Sequence, residues 1–139
     1  MITSYLRTAE NAGCIITAAG DNLVLHDPSV LKNEHIETLK RYKQAILVNL
    51  RRQEEATKNG WIVYSYGEGF EKQVSTNSLV FLFQEKEGSF TVWRGTWRGD
   101  SFPKTEKVII ANVEFDEAFK RANNYANWFK EAFGKGGRR

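Results

Sequence analysis

Between residues 2 and 53 the hydrophobic period changes twice, and this constrains the fold more than any other feature of the chain. Ile2, Leu6 and Ala9, with Tyr5 and Ala12 near the same side, recur at helical spacing, and Thr3 or Ser4 stands where a cap is needed. Gly13 then ends the helix, because it reaches positive φ without strain. Cys14-Ile15-Ile16-Thr17 and Leu23-Val24-Leu25-His26 read as short strands. They are joined at Gly20-Asp21-Asn22, residues that tolerate the left-handed conformations of a hairpin turn. Pro28 closes this segment, since it cannot extend a central ladder. From Asn33 the helical spacing returns, with Ile36, Leu39, Tyr42, Ile46, Leu47 and Leu50 in one continuous apolar stripe. The polar stretch 53–60 is the boundary, so the chain divides into residues 1–58 and 59–139.

The second part has a different texture. Residues 61–66, 79–84, 89–94 and 107–113 read as β-rich runs. Glu85-Lys86-Glu87-Gly88 closes a hairpin between the middle two, and a Gly-containing loop follows the first. Phe119, Ala122, Ala126, Phe129 and Phe133 then repeat at helical spacing, with Gly134 as the stop. The predicted fold class is therefore α+β. An N-terminal αββαα unit precedes a four-stranded antiparallel sheet carrying one C-terminal helix.

Composition excludes several classes. Of the 139 residues, 41% are hydrophobic and 13% aromatic, which rules out wholesale disorder. No apolar run reaches the roughly 18 residues of a membrane span, and the N-terminus lacks the basic-then-apolar pattern of a signal peptide. Cys14 is the only cysteine, so no internal disulfide forms, and a reducing cytoplasmic location is expected. Net charge is +3. Up to Asn59 there are eight Lys/Arg against seven Asp/Glu, and beyond it twelve against ten. Nucleic-acid binding would therefore need clustered cations, not an excess of them.

Leu6, Gly13, Ile15, Gly20-Asp21-Asn22-Leu23, Leu31, Ile36, Leu39, Lys43, Ile46, Leu47 and Leu50 together give residues 2–53 a pattern that resembles the TubC-type N-terminal docking domain of peptide-synthetase subunits. The resemblance implies an α-β-β-α-α fold, often dimeric, whose second hairpin strand accepts a short peptide by strand addition. Carried to this chain, the docking edge would be Leu23, Val24, Leu25 and His26. A proline at Val24 is then expected to remove an edge donor.

Nothing in the sequence supplies an enzyme's groups. His26, His35 and Cys14 lack paired metal-ligand spacing, and a lone cysteine is usually a small buried apolar residue. Glu34, Glu37, Glu114, Asp116 and Glu117 stand at helix starts, where the helix dipole favours them. Gly67, Gly69, Gly95 and Gly99 lack a phosphate loop's context. We therefore expect no catalytic residues, no metal and no cofactor.

The most suggestive cluster is Trp93-Arg94-Gly95-Thr96-Trp97-Arg98. It offers stacking rings beside planar cations, with Tyr64 and Tyr66 extending the platform from one face of their strand. The competing reading packs Trp93 or Trp97 under the last helix, with the arginines at the rim. Trp128, Phe129 and Phe133 widen the apolar sector of that helix, as an interface or as filling for a small core. Lys135, Arg138 and Arg139 form a basic tail.

The chain thus reads as a non-enzymatic binding or adaptor protein with a protein partner or a second copy of itself. Its size suits a phage or mobile-element accessory protein, including an inhibitor of a host nucleoprotein complex. The alternative is single-stranded nucleic-acid binding through Trp93, Arg94, Trp97 and Arg98.

Overall fold

The computed structural model describes residues 2–99 and 101–133. The expected helix stop at Gly134 and the tail cations Lys135, Arg138 and Arg139 lie outside them. Among the described residues the fold is α+β, with four α-helices, a two-stranded antiparallel sheet and a five-stranded antiparallel sheet. The chain forms two compact units, one of residues 1–59 and 63–68, the other of residues 60–62 and 69–139.

In the first unit α1 (Ile2–Asn11) precedes a hairpin of β1 (Ile15–Ala19) and β2 (Asn22–His26), then α2 (Asn33–Arg41) and α3 (Lys43–Lys58). Gly13, at φ 103, ends α1 in a Schellman arrangement. Its N–H donates to the Glu10 carbonyl at 2.9 Å, and the Cys14 N–H donates to the Ala9 carbonyl at 2.8 Å. In the hairpin, Gly20 leads the two-residue turn at φ 61, the place a type II′ turn reserves for glycine. Arg51 Nη2 holds that turn from α3, donating to the Gly20 carbonyl at 2.8 Å and to Asp21 Oδ1 at 3.0 Å. Leu6, Ala9, Cys14, Ile16, Leu39 and Ile46 form the core. The stripe from Ile36 to Leu50 is carried by two helices, as the αββαα pattern expects, and they part at Tyr42 (φ −104, ψ 21). The ring of Tyr42 stacks on that of Tyr5 at 5.3 Å.

The larger sheet runs in the order β3 (Ile62–Tyr64), β4 (Gly69–Ser75), β5 (Ser78–Lys86), β6 (Ser89–Thr96) and β7 (Thr105–Val113), closed by α4 (Phe115–Phe133). There are five strands, not the four expected. The additional one is β4, in the segment expected to be a Gly-containing loop. The first expected strand is also shorter: Ser65 and Tyr66 adopt φ 49 and 57 in a 3-10 turn.

Strand alternation sorts the sheet's side chains by face. Phe70, Val80, Leu82, Phe90 and Val92 are buried toward α4. Phe115 lies 5.4 Å from the Phe70 ring and 5.3 Å from that of Phe90. Ala118, Ala122 and Ala126 are fully buried, and their small side chains let the helix approach the sheet closely. Trp61 Nε1 donates to Asn123 Oδ1 at 2.8 Å and so satisfies its buried polar edge. Each of the large apolar side chains in this layer stabilises the unit by about 1.5–3 kcal/mol.

Candidate functional site

Among the described residues the hairpin is a two-stranded sheet, so each strand keeps one edge without a strand partner. A two-residue turn makes Ala19↔Asn22 a hydrogen-bonded pair, and alternation extends this to Thr17↔Val24 and Ile15↔His26. The backbone groups of Leu23 and Leu25 therefore face outward, and so do those of Ile16 and Ala18 on β1. Val24 turns its N–H inward to β1, so the proline expected to block the edge at Val24 would break the hairpin instead.

The four expected docking residues divide by side chain. Leu23 and Leu25 pack against the core, Val24 is half-buried and His26 is exposed. His26 Nε2 lies 3.0 Å from Thr17 Oγ1. Beside the β2 edge runs a groove of about 210 Å³ lined by Asn22, Leu23, Leu25, Ile36, Lys40 and Lys43. Lys43 Nζ donates to Asn22 Oδ1 at 3.2 Å. The β1 edge also opens on a groove, of about 430 Å³, with Ile16, Ala18, Leu50, Glu54, Thr57 and Lys58. Sequence reasoning missed it, because no pattern in β1 distinguishes an edge from a paired strand.

The Trp-Arg cluster does not stay together. In β6 Arg94 shares the α4 face with Val92 and Thr96, while Trp93 and Gly95 lie on the opposite face. Trp93, Trp97 and Phe81 form one aromatic group there, with ring centroids 5.1 Å apart for Phe81–Trp93 and 6.1 Å for Trp93–Trp97. Trp93 Nε1 donates to Glu106 Oε1 at 3.1 Å, and Glu71 pairs with Phe81 on the same face. The indoles are therefore flanked by carboxylates, which oppose phosphate binding there.

Arg94 is held among neutral oxygens. Its Nε donates to Tyr125 Oη at 3.2 Å, and its Nη1 to Thr96 Oγ1 at 2.8 Å and Thr105 Oγ1 at 3.2 Å. Its guanidinium lies 5.4 Å from the centre of the Phe129 ring. Arg98 is exposed and joins Arg94 along one cavity, beside α4 aromatics instead of Trp93 and Trp97. Trp128, Phe129 and Phe133 belong to the widened apolar sector expected of that helix, and Tyr125, at the same helical spacing, completes it.

Tyr64 is 45% exposed in β3. Tyr66 does not share its strand face. It packs in the first unit, where Arg7 lies over its ring at 5.5 Å and Asn49 Nδ2 donates to its carbonyl at 3.0 Å. Cys14 is fully buried, and that burial, with the nearby Asp27 charge, pushes its thiol pKa up. Among the described residues no group of three or more His, Cys, Asp or Glu is placed to hold a metal ion. None of the described helices is long and apolar enough to cross a membrane.

Fold and geometry define a two-unit α+β chain with an open hairpin edge in one unit and a cation-lined helix face in the other. Compared with known proteins, the chain matches no family model, no curated protein and no solved structure.

Proposed function

We propose that the chain is a non-enzymatic, cytoplasmic adaptor that captures an extended peptide segment of a protein partner by strand addition to β2. The observation that carries this is the free edge at Leu23 and Leu25 above the groove between β2 and α2. Backbone hydrogen bonds supply affinity in this mode, and side chains at every second position enter the groove. Lys40 and Lys43 on the rim favour an acidic residue in the peptide. The TubC-type resemblance of residues 2–53 supports the same edge.

Peptide display against the full chain, followed by an N-methyl scan of the best binder, tests this. Methylation at alternate positions is expected to weaken binding by about tenfold or more, with the intervening positions tolerant. Lys43→Glu should weaken it by about three- to tenfold. A scan without period two, or full affinity in Lys43→Glu, rejects strand addition at β2. Sedimentation of the free chain as a concentration-dependent dimer would assign the edge to a second copy.

Single-stranded nucleic-acid binding is the second reading, and it now rests on Arg94 and Arg98 without Trp93 and Trp97.

A further inference from the structure

Against the C-terminal half of α4, on the helix-facing side of β5, β6 and β7, lies a cavity of about 740 Å³. Ligand sites typically span roughly 300–1,000 Å³. Arg94, Arg98 and Lys107 line it from the sheet side, and Tyr125, Trp128 and Phe133 from the helix. None of the described residues lining it is acidic. None of the three cations has a carboxylate partner among the described residues. Like charges gathered at one site repel one another, and a bound anion reverses that cost.

Arg94 is oriented without being neutralised. Its hydrogen bonds go to three hydroxyls, and one of these, Thr96 Oγ1, lies 2.7 Å from Ser78 Oγ. Among the described residues Nη2 stays available, because only Nε and Nη1 are engaged. An oriented guanidinium with Nη2 available, beside two further cations, suits a phosphate better than a carboxylate. A phosphate monoester brings three acceptor oxygens and about −1.5 to −2 charge at neutral pH, where a carboxylate brings one charge. Beside the cations, Trp128 is 55% and Phe133 40% exposed, with ring centroids 5.8 Å apart. Exposed rings of this size offer stacking surface to another flat ring.

We propose that this cavity binds a nucleotide, with its phosphate monoester on Arg94, Arg98 and Lys107 and its base against Trp128 and Phe133. The site is independent of the β2 edge and does not rest on the docking reading. A free mononucleotide and the 5′-phosphorylated end of a single strand present the same chemistry. Calorimetry on the full chain at about 50 mM salt separates them. The probes are adenosine 5′-monophosphate, adenosine, inorganic phosphate, and short oligothymidylates with a 5′-phosphate or a 5′-hydroxyl.

The mononucleotide, the 5′-phosphorylated strand or both saturate the site. Adenosine and inorganic phosphate bind at least about tenfold more weakly than the mononucleotide if that is the ligand. If only the phosphorylated strand binds, the ligand is a strand end. Arg94→Gln weakens binding by about tenfold or more, and Lys107→Gln or Arg98→Gln by about three- to tenfold. Because Arg94 is built into the hydroxyl network, the exposed Lys107 and Arg98 carry the test if that variant fails to fold. The proposal is overturned if neither phosphorylated probe saturates, or if the 5′-hydroxyl strand binds as well as its phosphorylated form. Unchanged affinity in both Lys107→Gln and Arg98→Gln overturns it too.

Discussion

Gly95 sits beneath two indoles: a Cβ built there would lie 2.7 Å from Trp97 Cη2 and 2.8 Å from Trp93 Cη2. Its backbone is not in the left-handed region, so space alone is what makes glycine necessary here. Gly95→Ala must push both rings outward and loosen the aromatic group on the sheet face opposite α4. We expect a loss of about 1–2 kcal/mol in urea unfolding, with a red shift of tryptophan emission in the native state. A variant as stable as wild type, with unchanged emission, would show that the rings move freely. The same residues explain why the Trp-Arg cluster misled. Adjacent residues in a strand point to opposite faces, so Trp93 and Arg94 part company once β6 forms. Which of the two faces receives α4 is not written in six residues of β6. It depends on Val80, Leu82 and Phe90 gathering on the Arg94 side.

β4 escaped detection because of Lys72, which occupies a helix-facing position between Phe70 and Val74 and interrupts an otherwise alternating apolar pattern. Its ammonium lies 5.8 Å from the Trp61 ring centre. Burial, reinforced by the charge of Lys130, lowers its pKa from the ordinary 10.5. The sign follows from linkage. Between the lowered value and 10.5 the folded state binds fewer protons than the unfolded chain, so this residue's contribution to stability rises with pH across that window. Below the window its penalty is at full size. The stability of Lys72→Met relative to wild type should therefore be greatest at neutral pH and decline as pH approaches 10.5. Tyr5 and Tyr66, whose pKa values are raised mainly by burial, are common to both proteins and cancel in the difference. A difference constant from neutral to alkaline pH would refute this account of β4. At the same scale, the stop of α1 and the hairpin turn were legible in advance, whereas the cap expected at Thr3 or Ser4 was not, because both residues lie inside α1. Gly13 and Gly20 act through local backbone conformation, which neighbouring residues dictate.

In the whole molecule the division into units does not follow a single cut. Residues 63–68 belong with the first unit, where Tyr66 packs against its core and Glu68 accepts a hydrogen bond from the Thr3 hydroxyl. A fragment ending at residue 59 lacks these contacts, and one ending at 68 keeps them. We expect the longer fragment to be more stable by about 1–3 kcal/mol, read as a higher helical melting temperature by circular dichroism. Coincident melts would mean that residues 63–68 contribute nothing to the first unit. By itself the sequence determined the α+β class, the helix–hairpin–helix opening, its turn and the closing helix. Those depend on period, glycine and breaker residues acting over a few positions. Only the tertiary structure decided that the two closing helices of the first unit part at Tyr42, that β4 joins the sheet, and that Arg94 and Arg98 meet α4 aromatics instead of Trp93 and Trp97. Each of these outcomes turns on which face of an element is buried, and burial is set by partners far away in the chain.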